Sequence, residues 1–274
     1  MGTVVSLEAT GKNSERAINE SFVRLKELEE KILGDKQKIE LAAGNGDFVQ
    51  INPEVYEILE IAQKFSTLTD GNFDITVGAA VELWENCRDT KKLPTQEEII
   101  AAKNLIGFRH LILRKSDCSA RLEISGMKIN FGGVAKGYGV DLVKNIFESH
   151  GIKSGLIDFG NSTIFALGEK KIGLRDPDKE NDLLKILNLR DEVISTSGDY
   201  EKFFVVDNRR VHHIIDPKTA APADNGNASV SVVLKGGKNS GTIADILSTA
   251  IFVGEINFSG SDIPPFSVFD TPHA

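Results

Sequence analysis

Cysteine is almost missing from this 274-residue chain: there are two, Cys87 and Cys118. Neither has a second cysteine at ligand-like spacing, so a disulfide framework or a cysteine-held metal is excluded, and both read as ordinary reduced thiols. Excess positive charge is also missing. The formal net charge is −8, with 32 Lys and Arg against 40 Asp and Glu, and no basic patch stands out. That argues against a general nucleic-acid binder. No apolar run approaches the roughly 20 residues that span a bilayer. Met1-Gly-Thr-Val-Val-Ser-Leu runs straight into charged sequence and does not read as a signal peptide. The expectation is a cytoplasmic chain, or a periplasmic or membrane-anchored one where a leader precedes Met1. Internal repeats, low-complexity segments and clean linkers are lacking too.

Glycine is plentiful, with 25 residues, and its most informative cluster is Asn130-Phe-Gly-Gly-Val-Ala-Lys-Gly-Tyr-Gly-Val-Asp141. Arg121–Ile124 and Lys128–Asn130 before it read as two short strands joined by a Ser125-Gly126 turn. Val140, Val143, Ile146 and Phe147 after it recur at helical spacing up to Gly151. Strand, glycines, helix is one way to bring backbone N–H groups and a helix N-terminus against a phosphate, with Lys136 adding a mobile charge. The pattern is neither the dinucleotide-binding fingerprint nor the P-loop. The plainer account is a glycine turn where a helix packs close to a sheet.

The rest of the chain reads as α+β, a largely antiparallel or mixed sheet flanked by helices. Residues 3–10 suggest a strand. A helix capped by Asn13 or Ser14 carries Ile18, Phe22, Leu25, Leu28 and Ile32 on one face and stops at Gly34, and 35–47 reads as loop. Phe48–Ile51 suggests a strand, and Pro53 starts a helix bearing Val55, Ile58, Leu59, Ala62 and Phe65. Short helices are expected near Ala80–Trp84 and Gln96–Asn104. Strands are expected at 155–159, 163–167, 171–174, 185–189, 193–196, 202–206, 211–215 and 228–234, then a helix at 241–252.

Four polar clusters could carry chemistry. Asp245 and Thr249 stand i and i+4 on the last helix, so both oxygens leave one face. With a backbone carbonyl they make a hard-oxygen set that suits Mg²⁺. The plainer account is a helix-dipole aspartate and a back-bonding threonine. His213 and Asp216 bracket a short apolar run, and His212 should face the other way from His213. Ser195–Glu201 and Asp158–Thr163 carry hydroxyls and glycines that also fit turns.

Taken together and in order, these segments resemble the FAD:protein FMN transferase family, also called ApbE. The matching stretches are Met1–Thr3, Thr69-Asp-Gly-Asn-Phe-Asp-Ile-Thr-Val-Gly78, Asn130–Asp141, Asp158–Asn161, Ile194–Glu201, His213–Thr219 and Ala244–Ala250. The resemblance implies one domain over residues 1–254, an ApbE-like fold, and an atypical tail at 255–274. It implies an enzyme that uses Mg²⁺, divides FAD at its pyrophosphate, attaches FMN to a threonine of a target protein as a phosphoester, and releases AMP. The target carries an Asp-Gly-x-Ser/Thr-x-Ser/Thr/Ala-Thr motif, which this chain lacks. By the same resemblance Ala135, Asp245 and Thr249 hold the metal. His213, Asp216 and Lys136 serve the chemistry. Phe73, Asp74, Thr76, Gly132, Gly133, Lys136, Asp158, Gly198, His213 and Asp216 line the FAD site. FAD pyrophosphatase activity and a non-catalytic flavin-binding module are the alternatives. Three stretches depart from the family pattern: a short loop before Phe48, Asp158-Phe-Gly-Asn-Ser-Thr, and everything after Gly254. The last raises the expectation that the sheet lacks an edge strand.

Overall fold

The computed structural model describes residues 2–177, 179, 182–256 and 263–273. Met1, 257–262 and Ala274, which belong to the expected first motif and the expected tail, lie outside the described residues.

Strand β1 (Val5–Thr10) leads into α1 (Ser14–Leu41), which runs one further turn and more beyond Gly34. Gly34 is not a stop because the buried stripe continues: Ala17, Ser21, Leu25, Leu28, Ile32, Asp35 and Ile39 keep helical spacing throughout. Asp35 tolerates burial because its carboxylate accepts from the Asn52 amide at 2.7 Å and from Lys38 at 2.9 Å. Phe22 is off that stripe and 44% exposed. β2 (Val49–Gln50) precedes α2 (Pro53–Leu68), whose Asn52 cap accepts from the Glu54 amide. α3 (Gly78–Thr90) is longer than expected, ending only where Lys91 turns left-handed. α4 (Gln96–Lys103) opens on a Thr95/Glu98 capping box.

β3 (Leu111–Arg114), unforeseen in the sequence, and β4 (Ser119–Leu122) form a small sheet with β2 in the order β2-β4-β3. Lys128–Asn130 is not a strand: Lys128 makes one isolated bridge, to Val77. Then come α5 (Ala135–Ser149), β5 (Ser154–Phe159), β6 (Thr163–Arg175) and β7 (Leu183–Gly198). β6 and β7 each join two expected strands. The break read at Gly168 is a register shift within a continuous hairpin, with Gly168 at φ +73°. β8 (Phe203–Val206) and β9 (Arg209–His212) make a second hairpin, and β10 (Ile215–Asp216) pairs with β11 (Ala221–Pro222). The run expected at 211–215 is therefore divided. β12 (Asn227–Lys235), α6 (Ser240–Val253) and β13 (Phe266–Pro272) complete the chain.

The main sheet has the order β1-β5-β6-β7-β12-β13, and every pairing is antiparallel. β13 supplies the edge strand whose loss the sequence suggested. The α+β reading holds. Alternation along the strands splits the sheet cleanly. Ile157, Phe159, Phe165, Val193, Val230 and Val232 join the core shared with α1, α5 and α6. Ala166, Ile172, Leu187, Leu189 and Ile194 form a separate cluster on the outer face, with Ile164 and Phe269 against it.

The α5–α6 pair is fastened by a buried carboxylate. The cap residue of α6, Asn239, is left-handed and offers no side-chain bond. Asp141 of α5 caps it instead: its carboxylate accepts from the Gly241 amide (2.9 Å), the Thr242 amide (2.8 Å) and the Thr242 hydroxyl (2.7 Å). Burial pushes its pKa up, opposed by those bonds. Asp141→Ala would leave buried donors unpaired, and a loss of about 2–3 kcal/mol is expected in urea unfolding.

Candidate active site

The glycine stretch forms a tight loop ahead of α5. The Asn130 amide donates to Ile75 O at 2.7 Å, and the Gly132 amide donates to the Asn130 side chain at 2.7 Å. At Gly133 an added Cβ would meet the Thr249 hydroxyl at 3.0 Å and the Phe73 ring at 3.1 Å, so both side chains would have to give by a few tenths of an ångström. The backbone amides here are largely satisfied from within. Ala135 donates to Phe131 O at 2.9 Å, and Gly137 donates to Asp245 Oδ2 at 2.9 Å. Lys136 is the charged group that this loop presents to the cavities.

Lys136 Nζ lies 3.2 Å from Asp245 Oδ1 and donates to Gly132 O at 3.1 Å. Asp245 is 2% exposed. Its remaining neighbours are hydroxyls: Ser195 Oγ at 3.4 Å and Thr163 Oγ1 at 3.5 Å. Thr249 Oγ1 donates to Asp245 O at 3.1 Å, the back-bond of the plainer account, and also lies 3.2 Å from Ser197 Oγ. Strand alternation explains the hydroxyls, since Ser195 and Ser197 of β7 point to the same face, against α6.

His213 comes just after β9, on the other wall. Its Nδ1 is 3.3 Å from Lys202 O. A carbonyl only accepts, so Nδ1 carries the hydrogen and Nε2 keeps its lone pair. The residue keeps an open side to solvent. Even so, crowding by the protein and then the Lys136 charge lower its pKa to about 4. His212 faces inward as expected: it is buried, with Nε2 2.9 Å from Ala223 O and its ring edge-on to Phe252.

Two cavities meet at these groups. A cleft of about 190 Å³ is lined by Phe73, Asp74, Gly132, Gly133, Lys136, Gly198, His213 and Thr249 among others. A groove of about 270 Å³ runs from there along Ile32, Leu33 and Lys36 of α1 and past Ala135. Asn130, Gly132, Lys136, Ser162, Glu201, Lys202 and His213 line both.

The donor set fits magnesium. It consists of one buried carboxylate and several hydroxyls, all hard oxygens. A cation that retains water or substrate phosphate needs no dense carboxylate cluster, and among the described residues no group of three His, Cys, Asp or Glu could hold a metal. The carboxylate already faces one cation, the Lys136 ammonium.

A model of the ApbE family matches residues 1–258. The chain belongs to that family. The FAD:protein FMN transferase of Treponema pallidum (strain Nichols) is 32% identical over 261 residues, covering 86% of this chain and 71% of that protein. The FAD:protein FMN transferase of Klebsiella pneumoniae (strain 342) is 32% identical over 186 residues, covering 68% of this chain. That match spans 58% of the Klebsiella protein's length. Among solved structures, the ApbE protein of Thermotoga maritima superposes with a TM-score of 0.81 at 30% identity, over 92% of this chain and 84% of that one. The flavin transferase ApbE of Vibrio cholerae, at 23% identity, shares the fold with a TM-score of 0.76.

Not every residue expected at the ApbE site faces the cleft with its functional atoms. Asp74 lines it, but Oδ1 accepts from the Thr76 amide and hydroxyl and Oδ2 from the Phe108 amide. Thr76 is fully buried, outside the lining, and receives the Gly107 amide at 2.8 Å. The pair pins the 73–76 loop to 107–108. Asp158 closes the 158–161 turn through the Asn161 amide, and burial raises its pKa. Asp216 accepts from the Lys218 amide and the Thr219 hydroxyl, while its neighbours Ile215 and Pro217 line the cleft. Both aspartates hold turns. Glu201, Lys202, Ser162 and Ser197 also line the cavities. Ser197 and Glu201 fall within the Ser195–Glu201 segment and Ser162 within Asp158–Thr163, both marked in the sequence as polar clusters without a role for these residues, while Lys202 lies just outside and carried no signal.

Proposed function

We propose that this ApbE-family protein is a magnesium-dependent FAD:protein FMN transferase. The observation that carries it is that Lys136 and His213 stand where two cavities join, with Thr249 on the cleft and the buried Asp245 carboxylate 3.2 Å behind Lys136 Nζ. FAD is a two-part molecule with its pyrophosphate in the middle. One cavity would take each nucleotide half and the charged centre would sit at the junction. Asp245, Thr249 and, by the family resemblance, the Ala135 carbonyl would hold Mg²⁺. When bound, the ion supplies charge neutralisation to the pyrophosphate oxygens. Phosphoryl transfer needs positioning and charge neutralisation more than covalent help. Lys136 faces the developing charge. The acceptor threonine Oγ attacks the FMN-side phosphorus, its proton passes to His213 Nε2, and the phosphorus–oxygen bond to AMP breaks. FMN is then joined to threonine as a phosphoester. The open side of His213 favours a second reading, in which water replaces threonine and the products are FMN and AMP.

The deciding experiment incubates the protein with FAD and Mg²⁺, with and without a peptide bearing the acceptor motif, following AMP and peptide mass. AMP with a mass gain of one FMN is the expected result. AMP without it favours hydrolysis, and neither product removes the proposal in favour of flavin binding alone.

The role of His213 makes a separate prediction. A base must be neutral, so activity falls as pH drops through its pKa. From the lowered value of about 4, kcat/KM should stay level from pH 7 to about 5 and fall about tenfold per unit only below 4. Lys136→Met removes a cause of the lowering, so the His213 titration followed by NMR should move toward the ordinary value near 6.5.

No helix among the described residues is long and apolar enough to cross a membrane.

A further inference from the structure

A third cavity opens onto the same junction from the outer face of the main sheet. The distal half of the β6–β7 hairpin folds back over that face, so Ile172, Leu187 and Leu189 pack with Ile194 and Phe269. Lys185 Nζ sits 4.9 Å above the Phe269 ring. Between this arm and strands β12–β13 lies a groove of about 170 Å³. Its floor carries hydroxyls, with Thr196 Oγ1 and Ser231 Oγ 2.8 Å apart and Ser229 nearby. Its lip is apolar and open: Leu183 is 56% and Leu184 47% exposed. Arg175 stands exposed among the lining residues, within electrostatic reach of Glu201 and Tyr200 but in no close ion pair among the described residues.

Ser162 and Glu201 line this groove and both cavities of the active site. Ser162 is 4% exposed, and its hydroxyl has no hydrogen-bond partner among the described residues. A buried orphan hydroxyl is costly unless something arrives to meet it. The junction therefore has three arms. If two hold the halves of FAD, the attacking hydroxyl must come by another route, roughly opposite the leaving AMP oxygen. The groove is that route.

We infer that the outer groove lined by Arg175, Leu184, Thr196 and Ser231 docks the hydroxyl-bearing segment of the acceptor protein, with Ser162 meeting it where it reaches the junction. This rests on the transferase reading. The occupant is an extended polypeptide segment carrying an acidic residue. The hydroxyl floor matches peptide N–H and C=O groups, the apolar lip matches side chains, and Arg175 offers the complementary charge.

The test uses the full chain, FAD, Mg²⁺ and a synthetic peptide with the Asp-Gly-x-Ser-x-Ala-Thr pattern. Arg175→Glu and Leu184→Glu change exposed positions outside the FAD machinery. Each should raise the peptide KM about tenfold, with kcat, FAD affinity and peptide-independent AMP release within about twofold of wild type. A peptide with Lys in place of its Asp should recover part of the loss with Arg175→Glu alone. Unchanged KM in both variants, with the wild type active, would overturn the groove while leaving the transferase intact. A wild type that releases AMP but modifies no peptide would remove the transferase reading and the groove with it.

Discussion

Replacing Asp245 with Asn is expected to lower FAD cleavage by at least about 10²–10³-fold while leaving the fold close to native. The substitution keeps shape and an acceptor for the Gly137 amide, so the bond that orients the start of α5 survives. It removes one negative charge at a position 2% exposed. Lys136 then faces a neutral amide at 3.2 Å. Among the described residues the groups bonded to the Asp245 carboxylate are an amide, two hydroxyls and an ammonium, and Glu201, whose carboxyl feels the Lys136 and Asp245 charges, is not bonded to it. Steady-state AMP release over a Mg²⁺ titration checks this, with circular dichroism as the control for folding. Wild-type turnover in this variant would remove the proposed metal site.

Gly137→Ala is expected to be the most damaging single-methyl change in the protein. An added Cβ would stand 2.2 Å from Gly241 O and 2.7 Å from Thr242 Cα. These are backbone atoms of α6 and cannot rotate away. Alanine gains about 1 kcal/mol of helix propensity over glycine. Overpacking against backbone costs about 3 kcal/mol or more, so the clash wins. Separating α5 from α6 would also pull Asp141 from the amides it caps and Asp245 from Gly137. A fall in Tm of at least about 5 °C is expected, together with lost activity. Gly34→Ala is the control, because a Cβ there meets nothing within 4 Å; at that helical position the same propensity should stabilise.

How far the sequence carried depended on whether a residue's role was local. α2 and α4 were legible because Pro53, and Pro94 with Thr95, mark their starts. The end of α1 was not, because Asp35 and Ile39 sit in a polar stretch, and what buries Asp35 is the distant Asn52 amide. The gap expected between strands 163–167 and 171–174 is a bulge in one strand, a distinction set by the partner strand. β13 carries no strong periodicity; it is half-exposed and held by its pairing to β12. At the site, the i, i+4 spacing of Asp245 and Thr249 and the glycine loop were visible, and the family resemblance linked them to His213. Asp158 and Asp216 were placed at the site by the family resemblance; in the structure their carboxylates bond within turns.

The ring of hydroxyls around Asp245 has a kinetic consequence. A backbone amide can only donate, so a carboxylate enclosed by amides must break its surroundings to share an oxygen with a cation. Ser195, Ser197, Thr163 and Ser248 can each donate or accept. Reversing their sense takes rotation about one bond, on a picosecond-to-nanosecond scale. That rearrangement of the hydroxyls moves no strand or helix. FAD association should then keep pace with encounter, with an observed rate that rises linearly with FAD concentration in stopped flow; a plateau would reveal a slow rearrangement that this architecture does not call for.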